Sequence, residues 1–143
     1  MRLIATADLR GSQRSREELP TATTDVYVAD TMGELGLFYR LAPIVFMGGS
    51  LIPHGGQNPI EPVKLGASVV HGPHVFNFTD VYDTLDRAGG ARRADSQDAL
   101  VKQLGQLLAD PAARAALQVA SEQVVQQLGG ALERTLSALE PYL

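Results

Sequence analysis

Val26-Tyr27-Val28-Ala29, Ile44-Val45-Phe46-Met47 and Ser68-Val69-Val70-His71 are short, nearly unbroken apolar runs separated by segments of helical character. None alternates apolar and polar residues as a half-exposed strand does. A strand that is apolar on both faces needs cover on both, the condition of a parallel sheet between two layers of helix. The intervening segments suit that role. Leu35, Phe38 and Leu41 recur three apart in a helix over residues 33–41 that Pro43 ends. A second helix starts near Pro59 and is capped by Gly66, and a third covers residues 79–88 before Gly89-Gly90. The chain therefore reads as α/β, a Rossmann-like, doubly wound parallel sheet, with residues 91–94 as a fourth and weaker strand.

The flanks carry different patterns. Leu3-Ile4-Ala5 reads as a stub of strand, residues 10–18 as a polar charged run, and Pro20 as a breaker before a Thr-rich stretch. Residues 1–24 are thus expected to be an irregular segment, with the Rossmann-like domain over residues 25–143. After Ser96, a helix N-cap, Leu100, Val101, Leu104, Leu107 and Leu108 are read as one apolar face. Asp110-Pro111 opens a longer helix with Leu117, Val124 and Leu128 inward, and Gly129-Gly130 separates it from a last helix carrying Leu132, Leu136 and Leu139. These stripes do not sustain three heptads, so they read as packing surfaces rather than a coiled coil.

Composition excludes several classes of function. The chain has 143 residues, 45% hydrophobic, enough for one core. Its 12 Lys and Arg against 16 Asp and Glu leave a net charge of −4, which argues against nucleic-acid binding while leaving room for a pocket that holds one phosphate. It has no cysteine, so disulfides, thiolate metal sites and thiol nucleophiles are excluded. No apolar stretch is long enough for a membrane span, and the N-terminus lacks the apolar region of a signal peptide, so the chain is expected to be soluble and cytoplasmic.

Open parallel sheets bind ligands beyond the C-terminal ends of their strands. The three segments expected there hold the unusual residues: Asp30-Thr31-Met32-Gly33-Glu34, then residues 48–62 from Gly48-Gly49-Ser50 to Glu61-Pro62, then Gly72-Pro73-His74 and on to Asn77-Phe78. Glycines let backbone N–H groups approach an anion, and a helix start adds further donors. Gly48, Gly49, Ser50 and the Gly55-Gly56 turn have that character. Asn58 and Glu61 flank the helix start, and a carboxylate there suits the vicinal hydroxyls of a ribose. His54, His71 and His74 lack metal-ligand spacing, so no metal is expected, and His71 reads as a packed, hydrogen-bonded residue. There is no nucleophile elbow at Ser50, no P-loop and no dinucleotide fingerprint.

At these loops the run DTMGELGLFYRLAPIVFMGGSLIPHGGQNPIEPVKLGASVVHGPHVFNF, residues 30–78, closely resembles the donor-binding domain of 3-deoxy-D-manno-octulosonic acid (Kdo) transferases. The family is marked by a DTxGEL segment, a GGS turn, a GG-[HQ]-N-x-x-EP segment and a GPH-x-x-NF segment, and all four occur here in order. Position 57 is Gln where many members have His, so no imidazole role falls there. Arg14-Ser15 matches an Arg-Ser element preceding the DTxGEL segment.

The resemblance implies the C-terminal half of a GT-B glycosyltransferase, an inverting, metal-independent enzyme that adds Kdo from CMP-Kdo to the lipid A precursor of lipopolysaccharide. It implies that Ser50 and the Gly48-Gly49 backbone hold the CMP phosphate with help from Asn58, that Glu61 holds the ribose, that Met32-Gly33 lies against the cytosine, and that His74 and Asn77 shape the pocket or meet the Kdo moiety. No cofactor is implied beyond the CMP-Kdo donor. The family's acceptor site, membrane-associating segment and catalytic carboxylate belong to an N-terminal domain not recognised here. The chain is accordingly expected to be a fragment without a catalytic base and inactive alone, with the whole enzyme at the cytoplasmic face of the inner membrane. The alternatives are a non-catalytic nucleotide-binding module and a self-associating one, for instance a homodimer formed through an exposed sheet edge.

Overall fold

The computed structural model describes residues 1–129, 135 and 138–142. The chain divides into two compact units, residues 1–35 and 36–143, so the first unit reaches past the boundary expected near residue 25.

The first unit holds a short helix α1 (Arg2–Thr6), strand β1 (Gly11–Gln13), a 3-10 turn (Arg14–Arg16) and strand β2 (Val26–Val28). Two expectations are corrected here. Leu3-Ile4-Ala5 lies within α1 rather than a strand, and the polar run contains β1, which pairs in parallel with β2 in the register Gly11 to Val26. Gly-Ser-Gln carries no apolar signal because β1 is held by backbone pairing and by its polar flanks. The Arg10 guanidinium donates to Asp25 at 2.9 Å, and the Gln13 amide to the Glu18 carboxylate at 2.8 Å.

The second unit is built on the parallel sheet β3 (Ile44–Phe46), β4 (Ser68–His71) and β5 (Ala91–Arg93), with β4 in the centre. Helix α2 (Leu35–Leu41) precedes β3, α3 (Ile60–Lys64) and α4 (Thr79–Arg87) connect the strands, and α5 (Gln97–Ala109) and α6 (Pro111–Leu128) follow. Every residue of β4 is buried. Successive residues face opposite ways: Val69 packs with Val63, Tyr82, Leu85 and Val124 under α3, α4 and α6, while Val70 packs with Leu107, Ala94 and Phe46 under α5. Cover on both faces is what the continuous apolar runs required. The weak fourth strand is real, and its two exposed arginines mark a sheet edge.

Both helix caps form as read. The Ser96 hydroxyl accepts from the Ala99 amide, and the Asp110 carboxylate from the Ala112 and Ala113 amides, with Pro111 in the first turn. The apolar stripes are narrower than expected. On α5 only Leu100, Leu104 and Leu107 meet the core, while Val101 and Leu108, each one residue further round the helix, stay 64% and 65% exposed. On α6, Leu117 and Val124 are buried as expected, together with Ser121 and Val125, but Leu128 is exposed. Leu139 is exposed as well, and Leu132 and Leu136 lie outside the described residues. Among the described residues no helix is long and apolar enough to cross a membrane.

Candidate functional site

Because β3 and β4 run parallel, the segments that leave them emerge at the same rim, and the structure ties these segments together. Ser50 is fully buried at the crossing. Its hydroxyl donates to the Met47 carbonyl at 2.5 Å and accepts from the Gly72 amide at 2.8 Å, while its carbonyl accepts from the His74 amide at 2.9 Å. Gly72 has to be glycine: a Cβ there would lie 2.2 Å from the Ser50 carbonyl oxygen. Further along, the Asn77 amide donates to the Gly55 carbonyl at 3.2 Å, and the Tyr82 hydroxyl, from α4, to the Gln57 carbonyl at 2.7 Å. Gly55 adopts φ +105°, and a Cβ would fall 2.4 Å from the Asn77 side chain, so the turn and Asn77 fit only with glycine there.

The expected anion ligands divide accordingly. Gly48 is exposed and Gly49 half-buried, and among the described residues neither amide donates to a protein acceptor. Two adjacent backbone donors are thus left for a ligand. Ser50 is different: its hydroxyl is sealed from solvent with both partners internal, so in this structure it cannot reach a phosphate. The imidazole of His54 packs over Gly49, within 2.8 Å of where a Cβ would sit, a neighbour that loop spacing did not reveal.

Asn58 and Glu61 share an open cleft of about 460 Å³ lined also by Gly36, Arg40 and Lys64. The Asn58 side-chain oxygen accepts from the Ile60 amide at 3.0 Å, turning the chain into α3 and leaving its amide nitrogen without a protein partner among the described residues. Glu61 stands in the first turn of α3, exposed, and its charge together with burial raises the pKa of Tyr39 above the ordinary phenol value, burial being the larger cause. Helix α3 has only five residues, too short to contribute the helix-terminal anion site that the sequence suggested. His74 is half-buried, and its ring makes no hydrogen bond among the described residues. Asn77 lies at the crossing, its side chain 3.5 Å from the Gly56 carbonyl.

Met32 and Gly33 belong to the first unit. There the loop after β2 is anchored at both ends. Asp30 accepts from the Gln13 side chain, the Ser15 hydroxyl and the Ser15 amide, which hold its carboxyl down at about 2. Glu34 accepts two bonds from Arg14, at 2.6 and 3.0 Å, and one from the Thr31 hydroxyl, which hold it at about 2. Between the anchors Gly33 takes φ +84° and Met32 is 97% exposed. The Arg14-Ser15 element seen in the sequence is therefore what fixes the DTxGEL segment.

No protein-family model matches the chain. It is 41% identical over 132 residues to the 3-deoxy-D-manno-octulosonic acid transferase of Haemophilus influenzae, covering 92% of this chain and 31% of that protein. To the enzyme of the same name from Bordetella pertussis it is 43% identical over 125 residues, covering 87% of this chain and 29% of that protein. Among solved structures it superposes on the C-terminal CMP-Kdo binding domain of WaaA from Acinetobacter baumannii with TM-score 0.84 and 35% identity, over 87% of this chain and 65% of that one. The chain belongs to the Kdo transferase family. It spans about a third of the length of these curated relatives. Its α/β architecture is that of the C-terminal half of a GT-B Kdo transferase, as the motifs implied.

Proposed function

We propose that the rim formed after β3 and β4 binds CMP-Kdo as the donor for Kdo transfer to a lipid A precursor. The observation that carries this is the pair of adjacent amides at Gly48 and Gly49, left without acceptors among the described residues, on the same β3-to-α3 loop that leads to Asn58 and the cleft it shares with Glu61. Backbone donors so placed take the CMP phosphate and stabilise the charge that grows on it as CMP leaves the anomeric carbon. Glu61 accepts from the ribose hydroxyls, the free amide nitrogen of Asn58 adds a donor, and His74 and Asn77 shape the Kdo side. Ser50 serves by locking the crossing rather than by touching the phosphate. The acceptor and the base that deprotonates its hydroxyl come from the acceptor domain of a two-domain enzyme at the cytoplasmic face of the inner membrane.

Calorimetry of the 143-residue chain against CMP, UMP and AMP tests the reading. Selective binding of CMP, without Kdo transfer by the chain alone, supports it; equal affinity for the three nucleotides, or none, overturns it. Self-association is the second reading, and the exposed Leu37 and Leu41 of α2 favour it. Sedimentation as a monomer excludes it.

A further inference from the structure

We propose that α4 acts as a jig for the donor site, with His71 and Asp86 as positioning residues that set where the Gly48-Gly49 amides stand. This rests on the donor-site reading above and adds residues that lie outside the loops that carry it.

His71 ends β4 and is completely buried, yet both of its ring nitrogens are engaged. Nδ1 lies 2.8 Å from the Gly72 carbonyl oxygen, and Nε2 lies 2.9 Å from Asp86 Oδ1 on α4. A carbonyl oxygen only accepts, so Nδ1 carries a proton, and a further proton lies between Nε2 and Asp86. The ring is also wedged against Tyr82, with centroids 4.5 Å apart. Gly72 is consequently gripped at both of its backbone polar groups: the carbonyl by His71 and the amide by the Ser50 hydroxyl. Ser50 directly follows Gly48-Gly49, so the turn takes its position from Gly72, and Gly72 takes its position from Asp86 through the imidazole.

Helix α4 holds the far end of the same loop as well. Tyr82 lies four residues before Asp86, on the same helix face, and its hydroxyl bonds the Gln57 carbonyl just ahead of Asn58. Burial, then the neighbouring Tyr39 and Asp86, keeps that hydroxyl protonated far above the usual phenol range, so it remains a donor. One helix thus sets both the phosphate end and the ribose end of the β3 loop. Such support is what a site built from backbone amides needs, since amides cannot adjust by rotamer.

The test compares Asp86→Ala with Asp86→Asn in the full 143-residue chain. The alanine leaves Nε2 without a partner, whereas the asparagine amide can donate to it and hold the ring in place. We expect the alanine variant to speed hydrogen exchange at the Gly72 amide by roughly tenfold or more and to weaken CMP binding by a similar factor. The Val69 and Val70 amides should stay protected, and the asparagine variant should restore both quantities. An unchanged Gly72 amide in the alanine variant, or an asparagine variant as impaired as the alanine, overturns the inference. The exchange measurement needs no ligand, so a wild-type chain that fails to bind CMP defeats the donor reading and still leaves the jig to be decided by Gly72.

Discussion

Gly72 and Gly105 show how differently one residue type is used. A Cβ on Gly72 would fall 2.2 Å from the Ser50 carbonyl, against backbone that cannot move without undoing the crossing. Gly72→Ala is therefore expected to cost about 3 kcal/mol or more in a denaturation experiment and to abolish CMP binding. Gly105 lies inside α5 with open space around it, and Gly105→Ala should stabilise the chain by up to about 1 kcal/mol by the same measurement. Equal effects at the two sites would contradict this account of the crossing. At this scale the sequence shows where the polar and glycine-rich loop residues fall but not which of their atoms are free. The Gly-Gly-Ser turn stands out in the sequence as a candidate, yet the burial of the Ser50 hydroxyl depends on Gly72, 22 residues away. The role of His71 depends likewise on Asp86, brought next to it by the strand-to-helix packing of β4 on α4.

Among the elements, those with an apolar pattern were legible, and so were those announced by caps. The central strand β4, α5 with its Ser96 cap and α6 with Asp110-Pro111 stand where the sequence places them. Strand β1 was not legible, because Gly11-Ser12-Gln13 owes its place to partners distant in sequence rather than to its own side chains. Those partners make the first unit acid-sensitive. Asp25, Asp30 and Glu34 are each held at about 2, chiefly by side-chain hydrogen bonds from Arg10, Gln13 and Arg14 respectively. In the unfolded chain these groups titrate near 4, so the folded unit binds fewer protons below that value. The stability that these bonds contribute is fully present above about pH 4 and is lost as pH falls toward 2. Amide signals of β1, β2 and the Asp30–Glu34 loop should therefore weaken in that window in an NMR titration. Signals unchanged down to pH 2 would show that the carboxylate bonds contribute nothing to the unit.

For the molecule as a whole, the three-stranded sheet with helices on both faces presents backbone donors, a carboxylate and polar side chains, the groups on which the proposed nucleotide-sugar site rests. The family relationship explains the order of the motifs, and the physical structure explains why the loops after β3 and β4 occupy a common rim, since parallel strands deliver their loops to one end of a sheet. The chain spans about a third of its curated relatives, so a nucleotide, rather than turnover, is the informative probe. The most direct measurement is an amide NMR titration of the chain with CMP. The account predicts that Gly48, Gly49, Asn58 and Glu61 shift together along one saturable curve while the amides of α5 stay still; shifts confined to α5 or α6, or saturation that leaves Gly48 and Gly49 unmoved, would contradict it.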